Sequence, residues 1–197
     1  MTQNTENEKN IMKIAIYILL GIILILLIFL TIGLFLPKKR TLTKQTIFDA
    51  PIEKVYNVVI NNHDWEYRTS LDDLKIIESN NGFEIWDETS NGYTIRFKTK
   101  EKKPYAFYSF EMESKQFNGY WFAEFETVED SQTLFSATES IEYKNPLIRT
   151  LAYTFMNLDK YMETYQNELR KKLKRNKPTD NLPFKNDDSD KHKEKIF

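Results

Sequence analysis

Hydrophobic and polar positions divide the chain into four successive patterns. From residue 14 to 36 (IAIYILLGIILILLIFLTIGLFL) no position is charged, and apolar residues cover every face of a helix. At 1.5 Å per residue that stretch crosses a hydrocarbon core of about 30 Å. A soluble core helix would carry only a one-sided stripe. The pattern therefore predicts a transmembrane helix over 14–36, preceded by a short flank over 1–13.

The second pattern is short and mixed. Thr41 to Phe48 (TLTKQTIF) is rich in β-formers and predicts a first strand. Asp49-Ala50-Pro51 then predicts a helix start, with an acidic cap and a proline in the first turn. Ile52, Val55, Tyr56 and Val59 recur at helical spacing until Asn61-Asn62. The stretch from His63 to Tyr67 reads as one further helical turn or a loop.

In the third pattern the period is two. Strands are predicted at 70–79, 83–88, 93–100, 104–113, 119–128 and 132–143. Asn81-Gly82, Asn91-Gly92 and Asn118-Gly119 are expected as hairpin turns, because Asn-Gly accepts positive φ at both positions. Glu101 to Pro104 and Glu129 to Ser131 supply the other two turns. Finally, Leu147, Leu151, Phe155, Leu158, Met162, Tyr165, Leu169 and Leu173 form a stripe at three- and four-residue steps. One long helix from Pro146 to Arg175 is expected, with Arg170, Lys171, Lys172, Lys174 and Arg175 at the negative end of its dipole.

Alternation assigns the faces of the sheet. Tyr93, Ile95, Phe97, Ala106, Tyr108, Phe110 and Met112 are expected inward, followed by Trp121, Ala123, Phe125, Phe135, Ala137, Ile141 and Tyr143. Arg96, Lys98, Glu111, Glu113, Glu124 and Glu126 mark the solvated exterior. The apolar face meets the 151–162 part of the helix. Such a face packs as a filled core or lines a cavity. Tyrosine hydroxyls among the inward set favour the cavity, because each needs a partner when buried.

The flanks of the first helix separate it from a cleaved signal. The apolar run exceeds an ordinary signal core and ends in Phe35-Leu36-Pro37-Lys38-Lys39-Arg40, without small residues at a cleavage site. Lys38, Lys39, Arg40 and Lys44 follow the span, whereas only Lys9 and Lys13 precede it. This bias predicts a single-pass membrane protein with its C-terminal side in the cytoplasm.

Composition adds little beyond this. A net charge of -1 implies no whole-chain attraction to nucleic acid. The basic residues are not interleaved with aromatics along a groove, so no nucleic acid partner is expected. Fourteen Phe, eleven Tyr and three Trp are many for this length. Lys-, Asn- and Ile-rich usage suggests a bacterial chain. Residues 41–175 have the size of one domain. The charged stretch over 176–197 is poor in apolar residues and reads as a disordered tail.

Phe48-Asp49-Ala50-Pro51-Ile52-Glu53-Lys54-Val55-Tyr56 stands at the first strand-to-helix junction, Trp65 follows, and Leu74-Lys75-Ile76-Ile77 opens the next strand. With the C-terminal helix from Leu147 to Lys174, this order resembles the START/Bet v 1-like (SRPBCC) superfamily, in its polyketide cyclase/dehydrase and lipid-transport branch. The resemblance spans about residues 41–175. It implies an α+β helix-grip fold: a seven-stranded antiparallel sheet wrapped around a long C-terminal helix, here preceded by one transmembrane helix. It also implies a cavity between sheet and helix for a lipid or other apolar small molecule. Two departures stand out. Many members of the superfamily are soluble, and this chain shows no acid/base pair of the kind expected in a cyclase.

The candidate cavity residues are Trp65 near the second turn, and Tyr93, Ile95 and Phe97 on one strand. Tyr108, Phe110, Trp121, Phe125 and Phe135 continue the sheet face. Phe155, Leu158 and Met162 come from the helix. Arg68 is a candidate polar contact at the mouth, although a surface ion pair is its ordinary fate.

Catalytic residues, metal ligands and cofactors are not expected. The chain has no Cys, and its two His are far apart in sequence, His63 and His192, the latter in the charged tail. No Gly-rich phosphate loop or nucleophile elbow occurs. The sequence thus favours a membrane-anchored, non-catalytic domain binding a hydrophobic small molecule or lipid. Two alternatives stand beside it. One is a cyclase-type enzyme on a membrane-partitioned substrate, with His63, Asp64 or Glu139 as its acid or base. The other is a protein-interaction module with a filled core.

Overall fold

A computed structural model gives the structure of residues 2–175; the tail expected over 176–197 lies outside the described residues. Helix α1 (Thr2–Phe35) leads into β1 (Lys39–Phe48), α2 (Ile52–Val59) and one tight turn at Asn62–Asp64. Then come β2 (Asp73–Asn80), β3 (Phe83–Ser90), β4 (Tyr93–Lys103), β5 (Phe107–Glu113), β6 (Phe117–Glu129) and β7 (Gln132–Tyr143). Two helices follow, α3 (Pro146–Phe155) and α4 (Leu158–Arg175).

All seven strands form one antiparallel sheet in the order β1-β7-β6-β5-β4-β3-β2. Only β1 is carried across to the far end, where it pairs with β7; the other neighbours are consecutive hairpins. Asn81 and Gly82, and Asn91 and Gly92, all have positive φ, so both turns take the geometry that matches strand twist.

The third Asn-Gly pair behaves differently from expectation. Asn118 and Gly119 lie inside β6, opposite Glu113 and Met112 of β5. The turn falls at 114–116, because the Ser114 hydroxyl accepts hydrogen bonds from the backbone N–H groups of Gln116 and Phe117. Gly119 is explained by packing: a Cβ there would sit 2.6 Å from the Met112 Cε. Asp49 is not the cap of α2 either. Pro51 holds that position, and Asp49 accepts a hydrogen bond from Gln132 instead.

The long C-terminal helix is also two helices. Met156 is extended (φ −98°, ψ 111°) and ends α3. Each helix has its own asparagine cap: Asn145 accepts from the Leu147 N–H, and Asn157 from the Lys160 N–H. Only α4 is gripped by the sheet. Helix α3 packs against the end of α1, which removes Leu151 and Phe155 from the expected core stripe.

The core fills the space between the concave sheet, α2 and α4. Phe48, Val55, Trp86, Phe125, Phe135, Leu158 and Leu169 are buried there. Each large side chain contributes roughly 1.5–3 kcal/mol by leaving water. Polar links fix α4 in place. Gln166 accepts from Thr46 (2.7 Å) and donates to the Lys44 carbonyl, while Lys44 pairs with Asp159 at 2.8 Å. At the other end Lys172 pairs with Asp64, and Glu168 accepts from Thr69.

Helix α1 stands apart from this core. Asn7–Phe35 is long and apolar enough to cross a membrane, with a mean hydropathy of 3.2, and the rest of the chain covers almost none of it.

Candidate functional site

The site begins with the alternation of β3. Its inward positions are Glu84, Trp86 and Glu88, while Phe83 and Ile85 point the other way. Two carboxylates thereby enter the concave face beside the indole of Trp86. Antiparallel pairing aligns Trp86 with Phe97, Phe97 with Met112, Phe110 with Trp121, and Trp121 with Glu139. The result is a continuous aromatic surface across β3 to β6. Phe110 and Trp121 stack at 4.8 Å between ring centroids, and Trp86 and Phe97 at 5.3 Å.

Between this surface and α4 lies a cavity of about 70 Å³. Trp86, Phe97, Tyr108, Phe110, Met112 and Trp121 form the sheet wall. Tyr161, Met162, Tyr165 and Gln166 come from α4; Asn61, Asn62, Trp65, Tyr67 and Arg68 come from the connection after α2.

The polar groups in this wall differ in how well they are satisfied. Arg68 and Glu88 form a two-pronged pair at 2.6 and 2.7 Å, and the Trp86 Nε1–H donates to Glu88 at 2.9 Å. Burial opposes the Arg68 charge, but the adjacent Glu88 outweighs it and holds the guanidinium above its ordinary pKa. The Arg68 group also lies over the Tyr165 ring at 5.7 Å. Glu84 accepts from Asn62 at 2.8 Å.

Glu139 is different. It is 6% exposed and lines the cavity, and its carboxyl makes no hydrogen bond among the described residues. Burial, reinforced by the negative charge of Glu88, pushes its pKa up to about 7. The Tyr108 hydroxyl is also buried without a partner: Thr99 and Asn62 approach it outside hydrogen-bond geometry. Desolvation of the hydroxyl pushes Tyr161 up to about 12, although about half of the residue is exposed, and burial raises Tyr67, Tyr108 and Tyr165 as well. All four phenols stay neutral at ordinary pH. Chemically, the cavity presents an aromatic wall, a neutralised ion pair, and two polar groups with hydrogen-bonding capacity in hand.

Six of the twelve residues expected from the sequence line this space: Trp65, Phe97, Tyr108, Phe110, Trp121 and Met162. Phe125, Phe135 and Leu158 are buried in the packed core away from it, and Ile95 is half-buried against that core. Tyr93 is 72% exposed at the start of β4, beyond the reach of α4. Phe155 is 75% exposed, because α3 is not part of the gripped helix. Arg68 is half-buried in an internal pair rather than spread on the surface.

Sequence reading passed over Trp86, Glu88, Tyr161 and Tyr165 as lining residues, and left Glu139 out of the inward set. The period-two rule would have placed Glu139 between Ala137 and Ile141, on the same face. Of the other candidate acids or bases, the His63 ring is largely exposed, 3.6 Å from Glu84, and Asp64 is engaged by Lys172. Among the described residues no group of three or more His, Asp or Glu is placed to hold a metal ion.

A curved seven-stranded sheet gripping a helix, with an aromatic cavity between them, is the START/Bet v 1-like helix-grip fold. Solved structures share it at low identity. The di-domain aromatase/cyclase BexL superposes with a TM-score of 0.59 at 12% identity, over 75% of this chain and 54% of its own. This chain thus spans about half the length of that protein. A START superfamily protein from Mycobacterium smegmatis gives 0.53 at 14% identity, covering 68% of this chain and 97% of that one. Norcoclaurine synthase from Thalictrum flavum, solved with dopamine and hydroxybenzaldehyde, gives 0.57 at 11%, covering 71% and 89%. No protein-family model matches the sequence, and no curated protein matches it.

Proposed function

We propose that this protein is a membrane-anchored START-like domain that takes a small apolar or amphipathic molecule between its sheet and α4, and holds it without transforming it. The observation that carries this reading is an aromatic cavity lined by the Glu139 carboxyl, in which the buried Tyr108 hydroxyl has no partner. A buried polar group without a hydrogen bond costs about 1–3 kcal/mol. A ligand bearing a hydroxyl, amide or carbonyl group removes that cost.

Size limits what enters. A cavity of about 150 Å³ takes benzene, so 70 Å³ takes the polar end of a ligand. A larger molecule displaces the half-buried Trp65 and the partly exposed Tyr161 at the rim. The anchor is α1, whose uncovered apolar length has no stable place in water. Lys38 and Lys39 at its end favour the cytoplasmic side for the domain. An anchor holds the cavity beside the phase where apolar molecules collect.

The test is native mass spectrometry of the full chain in detergent, followed by organic extraction of what copurifies. The expected result is a reproducible added mass that is lost in Ala137→Phe, which fills the cavity. A clean apo mass, with no thermal stabilisation by membrane lipid extract, would overturn the reading.

One observation favours a second reading, a cyclase-type enzyme. A carboxyl with a pKa near 7 inside an apolar cavity is suited to general acid–base work. On that reading the captured molecule is converted over time by the wild type and persists unchanged in Glu139→Gln.

A further inference from the structure

Helix α3 is unusual on its outside. Its sequence, PLIRTLAYTF, contains one charged residue, Arg149, and that side chain is 3% exposed because it faces α1. Arg149 Nη1 donates to the carbonyls of Gly33 (2.7 Å) and Leu36 (3.0 Å). The Gly33 carbonyl is an end carbonyl of α1 whose helical donor would be Pro37, which has no N–H, and Leu36 follows the helix directly, so Arg149 caps it. The Thr150 hydroxyl donates to the Phe29 carbonyl at 2.6 Å. The two helices meet closely: a Cβ on Gly33 would fall 1.9 Å from the Pro146 carbonyl oxygen.

These contacts set a depth. Phe29 lies seven residues before Leu36, about 10 Å back along the helix axis. The first turn of α3 therefore lies beside the last two turns of the apolar segment, and its far end, at Met156, meets Arg40 just beyond them. Its outer face suits that position. Leu151 and Phe155, four residues apart on one face, are 37% and 75% exposed, and Met156 beside them is 38% exposed. The Thr154 hydroxyl donates to the Thr150 carbonyl within the helix, so it asks for no water. Lys38 and Lys39 are exposed just past the end of α1, at the level expected for anionic headgroups.

We infer that α3 is a second membrane element: an interfacial helix that lies against α1 with Leu151, Phe155 and Met156 in the lipid. The occupant of this face is the bilayer itself, because the face adjoins the apolar surface of α1 and sits between its last turns and the basic residues Lys38 to Arg40 that follow. The domain is then held at two points in a fixed orientation, rather than swinging on a single linker. This inference rests on α1 being a membrane anchor, and the experiment separates the two.

The chain has no cysteine, so single substitutions accept a fluorophore in the full-length protein. Phe155→Cys and Leu151→Cys report on α3, Leu24→Cys on the middle of α1, and Glu124→Cys on the solvated face of the sheet. Each is reconstituted in vesicles of three parts neutral to one part anionic phospholipid, with bromines placed shallow or deep in the acyl chains. An interfacial helix buries its apolar face about 5–10 Å. Labels at 155 and 151 are therefore expected to be quenched by shallow bromines, the label at 24 by deep ones, and the label at 124 by neither. A label at 155 that behaves like 124 while 24 is quenched would overturn the inference and leave the anchor standing. Shielding of 155 from both lipid and aqueous quenchers would overturn it in favour of a protein neighbour. Loss of quenching at 24 would remove the anchor reading and this inference together.

Discussion

Replacing Glu139 by glutamine tests the electrostatics of the cavity most directly. The Glu139 carboxyl stays protonated up to about pH 7, against an ordinary value of 4.5. Burial is the larger cause and the charge of Glu88 the smaller. At about 1.4 kcal/mol per pH unit, ionising it in the fold costs about 3 kcal/mol more than in the unfolded chain. The sign follows from proton counting. Between pH 4.5 and 7 the folded chain keeps a proton that the unfolded chain releases, so stability falls as pH rises through that window and levels off above it. Glutamine keeps the shape and cannot ionise. For a domain of this size 1 kcal/mol corresponds to about 2–4 °C, so the wild type should lose about 6–12 °C relative to Glu139→Gln between pH 4.5 and 8. Near-UV circular dichroism of the full chain in micelles follows the melting, because the buried tryptophans report tertiary packing rather than α1. Subtracting the variant removes the titration of every other carboxylate. Parallel pH profiles would refute the reasoning, since they would mean that Glu139 is solvated in the folded protein.

Two further outcomes are expected. Arg68→Ala strands the Glu88 charge in the cavity wall and should cost about 3–5 kcal/mol, whereas the double change Arg68→Leu with Glu88→Met should recover most of that loss; denaturant midpoints of the wild type and the two variants decide it. Gly82→Ala meets no neighbouring atom but must hold a φ of 77°, so it should cost about 1–2 kcal/mol through backbone strain alone, and an unchanged midpoint would refute the turn geometry.

The fold was legible because its signals are local and redundant. Two Asn-Gly pairs, the Ala50-Pro51 junction and strict alternation on β4 to β7 each point to the same sheet. The site was legible only by halves. Alternation identified Phe97, Tyr108, Phe110 and Trp121, whose inward direction is a property of one strand. It misled at Tyr93, where facing inward does not suffice because no element covers the position, and the helical stripe misled at Phe155, which lies on a helix that the sheet does not grip. Glu88 was passed over, and Glu139 was named only as an acid or base for the cyclase alternative and left out of the inward set, because a charged residue in a strand ordinarily marks the solvated face. Only the spatial meeting of Arg68 with Glu88, twenty residues apart, makes one of those carboxylates tenable inside. The break at Met156-Asn157 was hidden by a stripe that continues through it: Leu151, Phe155, Leu158 and Met162 keep helical spacing across two separate helices. Asn145 and Asn157 carried the opposing signal, since each is a capping residue placed before a helical run.

That break also explains how one segment serves two surfaces. Seven strands at about 4.8 Å spacing span roughly 29 Å, and the eighteen residues of α4 reach about 27 Å. Helix α4 alone is therefore long enough to close the concave face of the sheet. The ten residues of α3 are surplus to the grip, and a continuous helix would have carried Leu151 and Phe155 past the edge of the sheet into water. Turning the chain at Met156 instead sets the Arg149 and Thr150 side of α3 against α1, and the Met156 carbonyl, freed by the turn, accepts a hydrogen bond from Arg40 at 3.0 Å. Arg40 is the first basic residue of β1 with a contact of this kind, and its guanidinium also lies over the Tyr153 ring at 5.4 Å. The same turn thus ends α3, releases α4 to wall the cavity with Tyr161 and Met162, and ties both to the strand that leaves α1. A displacement of α3 would reach the cavity wall through five residues of chain, which is why the seating of α3 and the occupancy of the cavity are best measured on the same full-length protein.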